Sequence, residues 1–418
     1  MTISEKILAR ASGKDRVTAG EYVTAKPDIA VFGDPPFFLP TFIRALKEIG
    51  VEKVFDPEKV AISFDHFSPP KDIPGAEGQK TVREWVKEQG IKYFYDHGRG
   101  GICHQLMAEA GHARPGMLYA ADDTHAITLG ALGAFAVALG YDMISVLATG
   151  ETWFKVPESY RINVTGRFSK GVMSKDLSQR IIGDLGAEGA LYKVLEFSGS
   201  AIREMSIDGR MALCNSVNNA GAKTGIINPD EKTMEYMKGR AKKTFKPVSS
   251  DPDSLYEKKI EYDVSKLEPQ IAVPPAPQNV KSIAETESVE IDQANLASCA
   301  SGRMEDLRIA AKILKGRKVH PRIRMLVTPV SYEVELAALR EGLIEIFLNA
   351  NAVVLSPSCA GCGAILGALA AGETCIASTP LNFPGRMGSP KAKIYLGSPA
   401  TVAASAVSGK ITDPRKFL

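Results

Sequence analysis

GMLYAADDTHAITLGALGAFAVAL (residues 116–139) is the stretch on which the fold class turns. Its first part, GMLYAADD, is an apolar run that closes on two acids, the pattern of a strand ending in ionisable residues. THAITLGALGAFAVAL then reads as a helix entering the core. Two earlier runs repeat the strand half, VAISFDH (60–66) and IKYFYDH (91–97). Strands alternating with helices predict an α/β architecture with a largely parallel sheet. In such sheets, ligands sit beyond the carboxyl ends of the strands. That rule places Asp65-His66 and Asp123-Thr124-His125 at a site.

Outward from this core, 418 residues exceed one ordinary core and predict two or three domains. A first α/β segment spans 1–155 and a second spans 156–245, ending in the basic stretch EKTMEYMKGRAKK. Clustered prolines (Pro269, Pro274, Pro275 and Pro277) mark an extended connector over 246–284. The last segment, 285–418, resumes strand–helix alternation and holds four of the six cysteines.

Composition excludes several classes. Hydrophobic residues make up 44% and charged residues 24%, the balance of a soluble globular protein. The net charge of +3 arises from 51 basic and 48 acidic residues without a long basic run, so nucleic-acid binding has no electrostatic footprint. Ala126–Leu139 is the most apolar stretch, yet a membrane helix needs about 20 apolar residues. The start, MTISEKILARASGKD, is broken by Glu5, Lys6 and Arg10 and does not read as an export signal. A reducing cytoplasm is the expected compartment, where grouped cysteines point to metal or catalysis rather than disulfides.

Cys299 precedes an amphipathic helix carrying Met304, Leu307, Ala311 and Leu314 on one face. Cys359 and Cys362 sit in AVVLSPSCAGCGAILGALA, read as a second strand-to-helix turn. A helix amino end favours the thiolate that binds metal. Three such thiolates suit a cubane cluster that leaves one iron open as a Lewis acid. On spacing alone, a zinc site and a redox pair stand level with the cluster. Cys103, Cys214 and Cys375 lie in apolar or glycine-rich surroundings and read as core thiols.

Of the six histidines, three fall in motifs: Asp65-His66, His104-Gln105 after a glycine-rich turn, and Asp123-Thr124-His125. A carboxylate beside histidine fixes its tautomer and stabilises the imidazolium, a common general-acid arrangement. His97, His112 and His320 read as structural.

Taken together, EKILARASG, HQLMAEAGHARPG, ATGETWFKVPES, FSKGVMSKDL, GAKTGIINPDE, GRMEDLRIAAKILKG, NFPGRMGS and SPATVAASAVSGKITDPR form a specific set. With them, the chain resembles the large subunit of isopropylmalate dehydratases and homoaconitases, relatives of aconitase, along essentially its whole length. The resemblance implies aconitase-type three-layer α/β/α domains around a cluster-bearing cleft. It further implies a [4Fe-4S] cluster on Cys299, Cys359 and Cys362, with Asp65, His66, His104, Asp123 and His125 as proton-handling groups. Thr124, Asn215, Arg303 and Arg386 are implied in substrate binding. In this family a serine on a separate swivelling domain removes the substrate proton, so a small-subunit partner carrying that domain is implied.

The sequence departs from the family pattern in its polar shell. Asn219 stands where a Glu is expected near the cluster. Thr379-Pro380-Leu381-Asn382 replaces T-N-R-N, removing an arginine expected to meet substrate carboxylate; no neutral side chain imitates that bidentate partner. Thr124 replaces a Ser, Cys299-Ala300-Ser301 replaces C-T-N, and Gly33-Asp34 stands where an H-D pair is expected. The leading expectation is a hydro-lyase acting on a hydroxy-carboxylic acid, 3-isopropylmalate by family default. A paralogue for another acid (a substituted malate, homocitrate or an unrelated acid) is the first alternative. A catalytically degenerate binding or regulatory subunit is the second.

Overall fold

The structure, a computed structural model, describes residues 1–33, 38–359 and 361–418. Asp34, expected in a pair with Gly33, lies outside the described residues. The chain divides into two compact units, each discontinuous in sequence. The first comprises Met1–Asn163, Ala190–Ser198 and Gly221–Glu261; the second comprises Val164–Gly189, Gly199–Ala220 and Tyr262–Leu418. The residues of the 156–245 segment are shared between them.

The first unit carries β1 (Tyr22–Ala25), β2 (Ile29–Gly33), β3 (Val60–Ser63), β4 (Tyr93–Tyr95), β5 (Leu118–Ala121) and β6 (Phe135–Ala138). After these come β7 (Thr152–Lys155), β8 (Ser159–Thr165), β9 (Val194–Ser198), β10 (Thr224–Ile227) and β11 (Lys258–Asp263), of which β8 and β11 end just past the unit's boundaries. Five strands form a parallel sheet in the order β4-β3-β2-β5-β6. Its central strands IAVFG, VAIS and LYAA are buried throughout, as a parallel sheet covered on both faces requires. One face packs the helices Phe38–Glu48, Ile73–Gln89 and Met143–Thr149 through Phe42, Leu46, Val82, Trp85 and Leu147. The Ile73–Gln89 helix is delimited locally. Asp72 accepts from the Gly75 amide at 2.8 Å, and Gly90, at φ 72°, ends it.

The Thr124–Leu139 stretch departs from the expected helix. Thr124–Leu132 is a 3₁₀ helix, and Phe135–Ala138 is β6, paired in parallel with β5. Two glycines explain the break. A Cβ at Gly130 would lie 1.7 Å from the Gly225 carbonyl oxygen of β10, so the segment is pressed backbone-to-backbone. Gly133, at φ 75°, turns the chain left-handed and starts the strand.

The second unit carries β12 (Gln270–Ala272), β13 (Val280–Ser282), β14 (Gln293–Leu296), β15 (Arg324–Val327), β16 (Val353–Val354), β17 (Thr374–Ala377) and β18 (Lys393–Leu396). They form one sheet in the order β13-β12-β18-β17-β14-β15-β16. The five strands from β18 to β16 are parallel, while β12 and β13 add an antiparallel edge. The 246–284 stretch therefore supplies β11, β12 and β13 as well as its proline-rich turn. The helix Met304–Leu314 forms as the apolar spacing predicts and buries Leu307, Ala311 and Leu314. No helix follows Cys362 among the described residues up to Ala371. Ala364 and Gly367 take φ values of 60° and 71°, which an α-helix does not accommodate. The helix amino-end argument therefore holds at most for Cys299.

Both parallel sheets reverse their strand order beside the first-formed strand. The reversal falls between β2 and β5 in the first unit and between β14 and β17 in the second. Ligand crevices of open α/β sheets form at the carboxyl ends of such strand pairs. Among the described residues, no helix is long and apolar enough to cross a membrane.

Candidate active site

Beside the first reversal, the loops after β3 and β5 and the helix Cys103–Glu109 after β4 bring together the histidine motifs. Asp65 follows β3 and is buried. One of its oxygens meets His66 Nδ1 at 2.7 Å; the other accepts the Cys103 amide at 2.9 Å. Asp123 follows β5, and its Oδ1 meets His104 Nε2 at 3.0 Å and accepts the His125 amide at 2.7 Å. His125 Nδ1 stands 3.5 Å from the same oxygen and 3.3 Å from the Thr124 hydroxyl. Burial opposes the charge on Asp123, but the hydrogen bonds with His104 and His125 outweigh it and hold the carboxyl well below the usual range. The far ring nitrogens, His104 Nδ1 and His125 Nε2, are buried and meet no partner among the described residues. A buried imidazole nitrogen normally has a hydrogen-bond partner, so these two are available to a bound molecule.

Asp122 belongs to the same cluster, although the sequence pattern did not single it out. Its Oδ1 accepts the Gly33 amide at 3.1 Å, and its Oδ2 is buried with no partner among the described residues. Burial, and then the neighbouring Asp123 charge, push its carboxyl well above the usual range.

At the second reversal, Cys299 follows β14, and Cys359 and Cys362 lie in the loop after β16. All three are buried. Ser298 takes φ 89°, a left-handed conformation that costs a serine energy and is tolerated only where surroundings enforce it. Several bonds do so. Ser378 Oγ, after β17, accepts the Ala297 amide at 3.1 Å, Arg303 donates to the Cys299 carbonyl at 2.8 Å, and Asn295 donates to the Gly361 carbonyl at 2.7 Å. Arg386 Nη2 donates to Cys362 Sγ at 3.1 Å. Cys362 first, then Cys359 and Cys299 within electrostatic reach, raise the Arg386 pKa. Among the described residues, no three histidine, cysteine or acidic side chains converge on a single metal-ion position. Three buried thiols with an arginine beside one of them are a donor set that fits an iron–sulfur group.

Lys175 was not singled out in the sequence. It is buried, donates to the Thr379 carbonyl at 3.2 Å, and lies within electrostatic reach of Cys299 and Cys362. Burial lowers its pKa to about 8. The only sequence signal was a lysine–aspartate pair opening a helix that is otherwise amphipathic. Asn215 is fully buried and accepts from Ser216 Oγ at 3.3 Å. Asn219 donates to the Pro380 carbonyl at 2.9 Å. Leu381 is half-buried, and Asn382 is tied to the Ile394 carbonyl at 3.2 Å.

Comparison with known proteins gives the family. Residues 73–409 match the model of the aconitase family (aconitate hydratase). The chain is 48% identical to "3-isopropylmalate dehydratase large subunit 1" of Methanopyrus kandleri, covering 100% of this chain and 99% of that protein. It is 50% identical to the protein of the same name from Pyrococcus furiosus, with the same coverage. Among solved structures, aconitase X of Thermococcus kodakaraensis in its holo-form superposes with a TM-score of 0.53 at 15% identity, covering 88% of each chain, a likeness of fold. The chain belongs to the aconitase family of iron–sulfur hydro-lyases.

Proposed function

We propose that this chain is the large subunit of a two-subunit dehydratase that removes and re-adds water on a hydroxy-carboxylic acid. The acid is 3-isopropylmalate or a close analogue, and the site residues are those the sequence singles out. The observation that carries the reading is the grouping of three buried thiols within electrostatic reach of Arg386 at the strand-order reversal. Cys299, Cys359 and Cys362 would hold a [4Fe-4S] cluster, whose fourth iron supplies Lewis acidity toward a substrate hydroxyl. Arg386 and Lys175 offset the negative charge of the thiolates in a buried setting. Arg303 fixes the Cys299 backbone from below.

In the first unit, Asp65 orients His66, and Asp123 orients His104 and His125. The carboxylates set each imidazole's tautomer and stabilise its charged form, so these rings hold and move the protons of dehydration. The Thr124 hydroxyl beside His125 adds a small polar contact for substrate. The base that removes the carbon-bound proton belongs to the small subunit.

One observation favours an acid other than 3-isopropylmalate. Asn219 spends its amide on the Pro380 carbonyl, and the neighbouring Leu381 offers no charge. A carboxylate bound beside Leu381 would lack a bidentate arginine there, which disfavours a substrate carrying one at that end.

The test is to co-express the chain with its small subunit, purify without air, and measure iron, sulfide and dehydration of 3-isopropylmalate and substituted malates. About four irons per chain, with turnover of one such acid, support the reading. A folded complex with zinc or no metal, or one that turns over none of these acids, overturns it.

A further inference from the structure

The first unit's cluster holds three carboxyls side by side: Asp65 after β3, Asp122 and Asp123 after β5, with the end of β2 between them. Two have imidazole partners, His66 for Asp65 and both His104 and His125 for Asp123. Among the described residues, Asp122 has neither imidazole nor guanidinium bonded to it. Its one described donor is the Gly33 amide, and its Oδ2 is buried without a partner among the described residues. Gly33 stands where the family resemblance implies a histidine. A side chain there would point at the Asp65 carboxylate and Cys103, since a Cβ would lie 3.4 Å from Asp65 Oδ1 and 3.6 Å from Cys103 Cβ. The other titratable groups that face Asp122 are Asp65, His66, Asp123, the Cys103 thiol and the Tyr119 hydroxyl. Only one of these, His66, brings a positive charge, and it is already engaged by Asp65. A second anion beside Asp123 is unfavourable in such a setting, because like charges at close range cannot both ionise cheaply.

We propose that Asp122 is a positioning residue of the proton-handling cluster, a carboxylic acid whose own proton takes the place of a cationic partner. With Asp122 neutral, Asp123 is the one anion of the adjacent pair, and it holds both His104 and His125. If Asp122 ionised, two like charges would stand side by side. The proposal rests on the reading of this cluster as the proton-handling site.

The test has two arms. In the first, infrared spectra of the whole chain at neutral pH are recorded for wild type, Asp122→Asn and Asp122→Ala. Asn keeps an acceptor for the Gly33 amide, and Ala gives a second variant if Asn fails to fold. Wild type should show a deuterium-sensitive carbonyl band of a protonated carboxyl that both variants lack. The buried Asp176, Glu305 and Asp306 are common to all three samples and cancel in the difference. An unchanged band in a folded variant overturns the proposal. In the second arm, Asp122→Asn, neutral like the protonated acid, should leave the limbs of the kcat/KM pH profile of the two-subunit enzyme where they stand in wild type. A limb moved by about one pH unit would show that Asp122 carries a charge at working pH and overturns the proposal. A complex inactive on every acid would sink the functional reading, and the infrared arm would then decide the proton on its own.

Discussion

Asn219 and Pro380 are joined by a single hydrogen bond, from the asparagine amide to the proline carbonyl at 2.9 Å. These are two of the positions at which this chain leaves the pattern of its family, and they meet. The bond fixes the Thr379–Asn382 loop while removing an amide from service to any ligand. Replacing Pro380-Leu381 by Asn-Arg restores a bidentate partner for carboxylate. The double variant P380N/L381R should raise kcat/KM for 3-isopropylmalate by about tenfold or more relative to wild type. Steady-state kinetics on the two-subunit complex measure it. An unchanged value would show that this loop does not set substrate choice.

The three thiols within electrostatic reach of Arg386 should behave unlike the other three. Cys299→Ser, Cys359→Ser and Cys362→Ser should each lose most of the bound iron and sulfide. Cys103→Ser, Cys214→Ser and Cys375→Ser should retain both, because burial pushes those thiols up and away from thiolate chemistry. Metal analysis of anaerobic preparations decides between the sets.

Asp123 serves two imidazoles through one oxygen. Asp123→Asn keeps the size but removes the charge that stabilises both imidazolium forms. It should lower kcat by about 100-fold or more with iron content unchanged. A loss of iron in step with activity would point to misfolding instead.

His112 gives the chain an acid-sensitive element far from any catalytic role. It is buried, with its Nε2 2.6 Å from the Tyr95 hydroxyl and its ring packed edge-on against Tyr93, centroids 4.5 Å apart. Burial lowers its pKa from 6.5 to about 4. The unfolded chain takes up a proton below pH 6.5 that the folded chain refuses. The stability His112 contributes is therefore full above that value and lost as pH falls through about 4. The whole span is worth about 3 kcal/mol. Urea unfolding at a series of pH values should show a flatter acid limb in His112→Gln than in wild type.

What the sequence made legible follows from local physics. The strands at 60–63 and 118–121 announced themselves by apolar runs ending on acids. The Met304–Leu314 helix was readable from its apolar spacing. Thr124–Leu139 was not, because its course is set by β10 passing against Gly130, a contact almost 100 residues away in the chain. The loop after Cys362 was misread as a helix for a related reason: ILGALA has helical composition, but Ala364, Gly367 and Gly372 hold positive φ. Lys175 and Asp122 escaped notice because both depend on burial and on partners from distant segments. The histidine–aspartate pairs escaped less, since two of them are neighbours in sequence.

The chain passes between its two units after residues 163, 189, 198, 220 and 261, and this has a consequence for its birth on the ribosome. Val194 and Ile226 pack in one core cluster with Ile3, Leu118 and Phe135. The amino-terminal half of the chain therefore emerges with that cluster unfinished, and nascent synthesis must run beyond the middle of the chain before its apolar face is covered. The first unit closes only once Glu261 has emerged, by which point two segments of the second unit have already been made. The exposed surface must wait, shielded or at risk of aggregation, for segments still inside the exit tunnel.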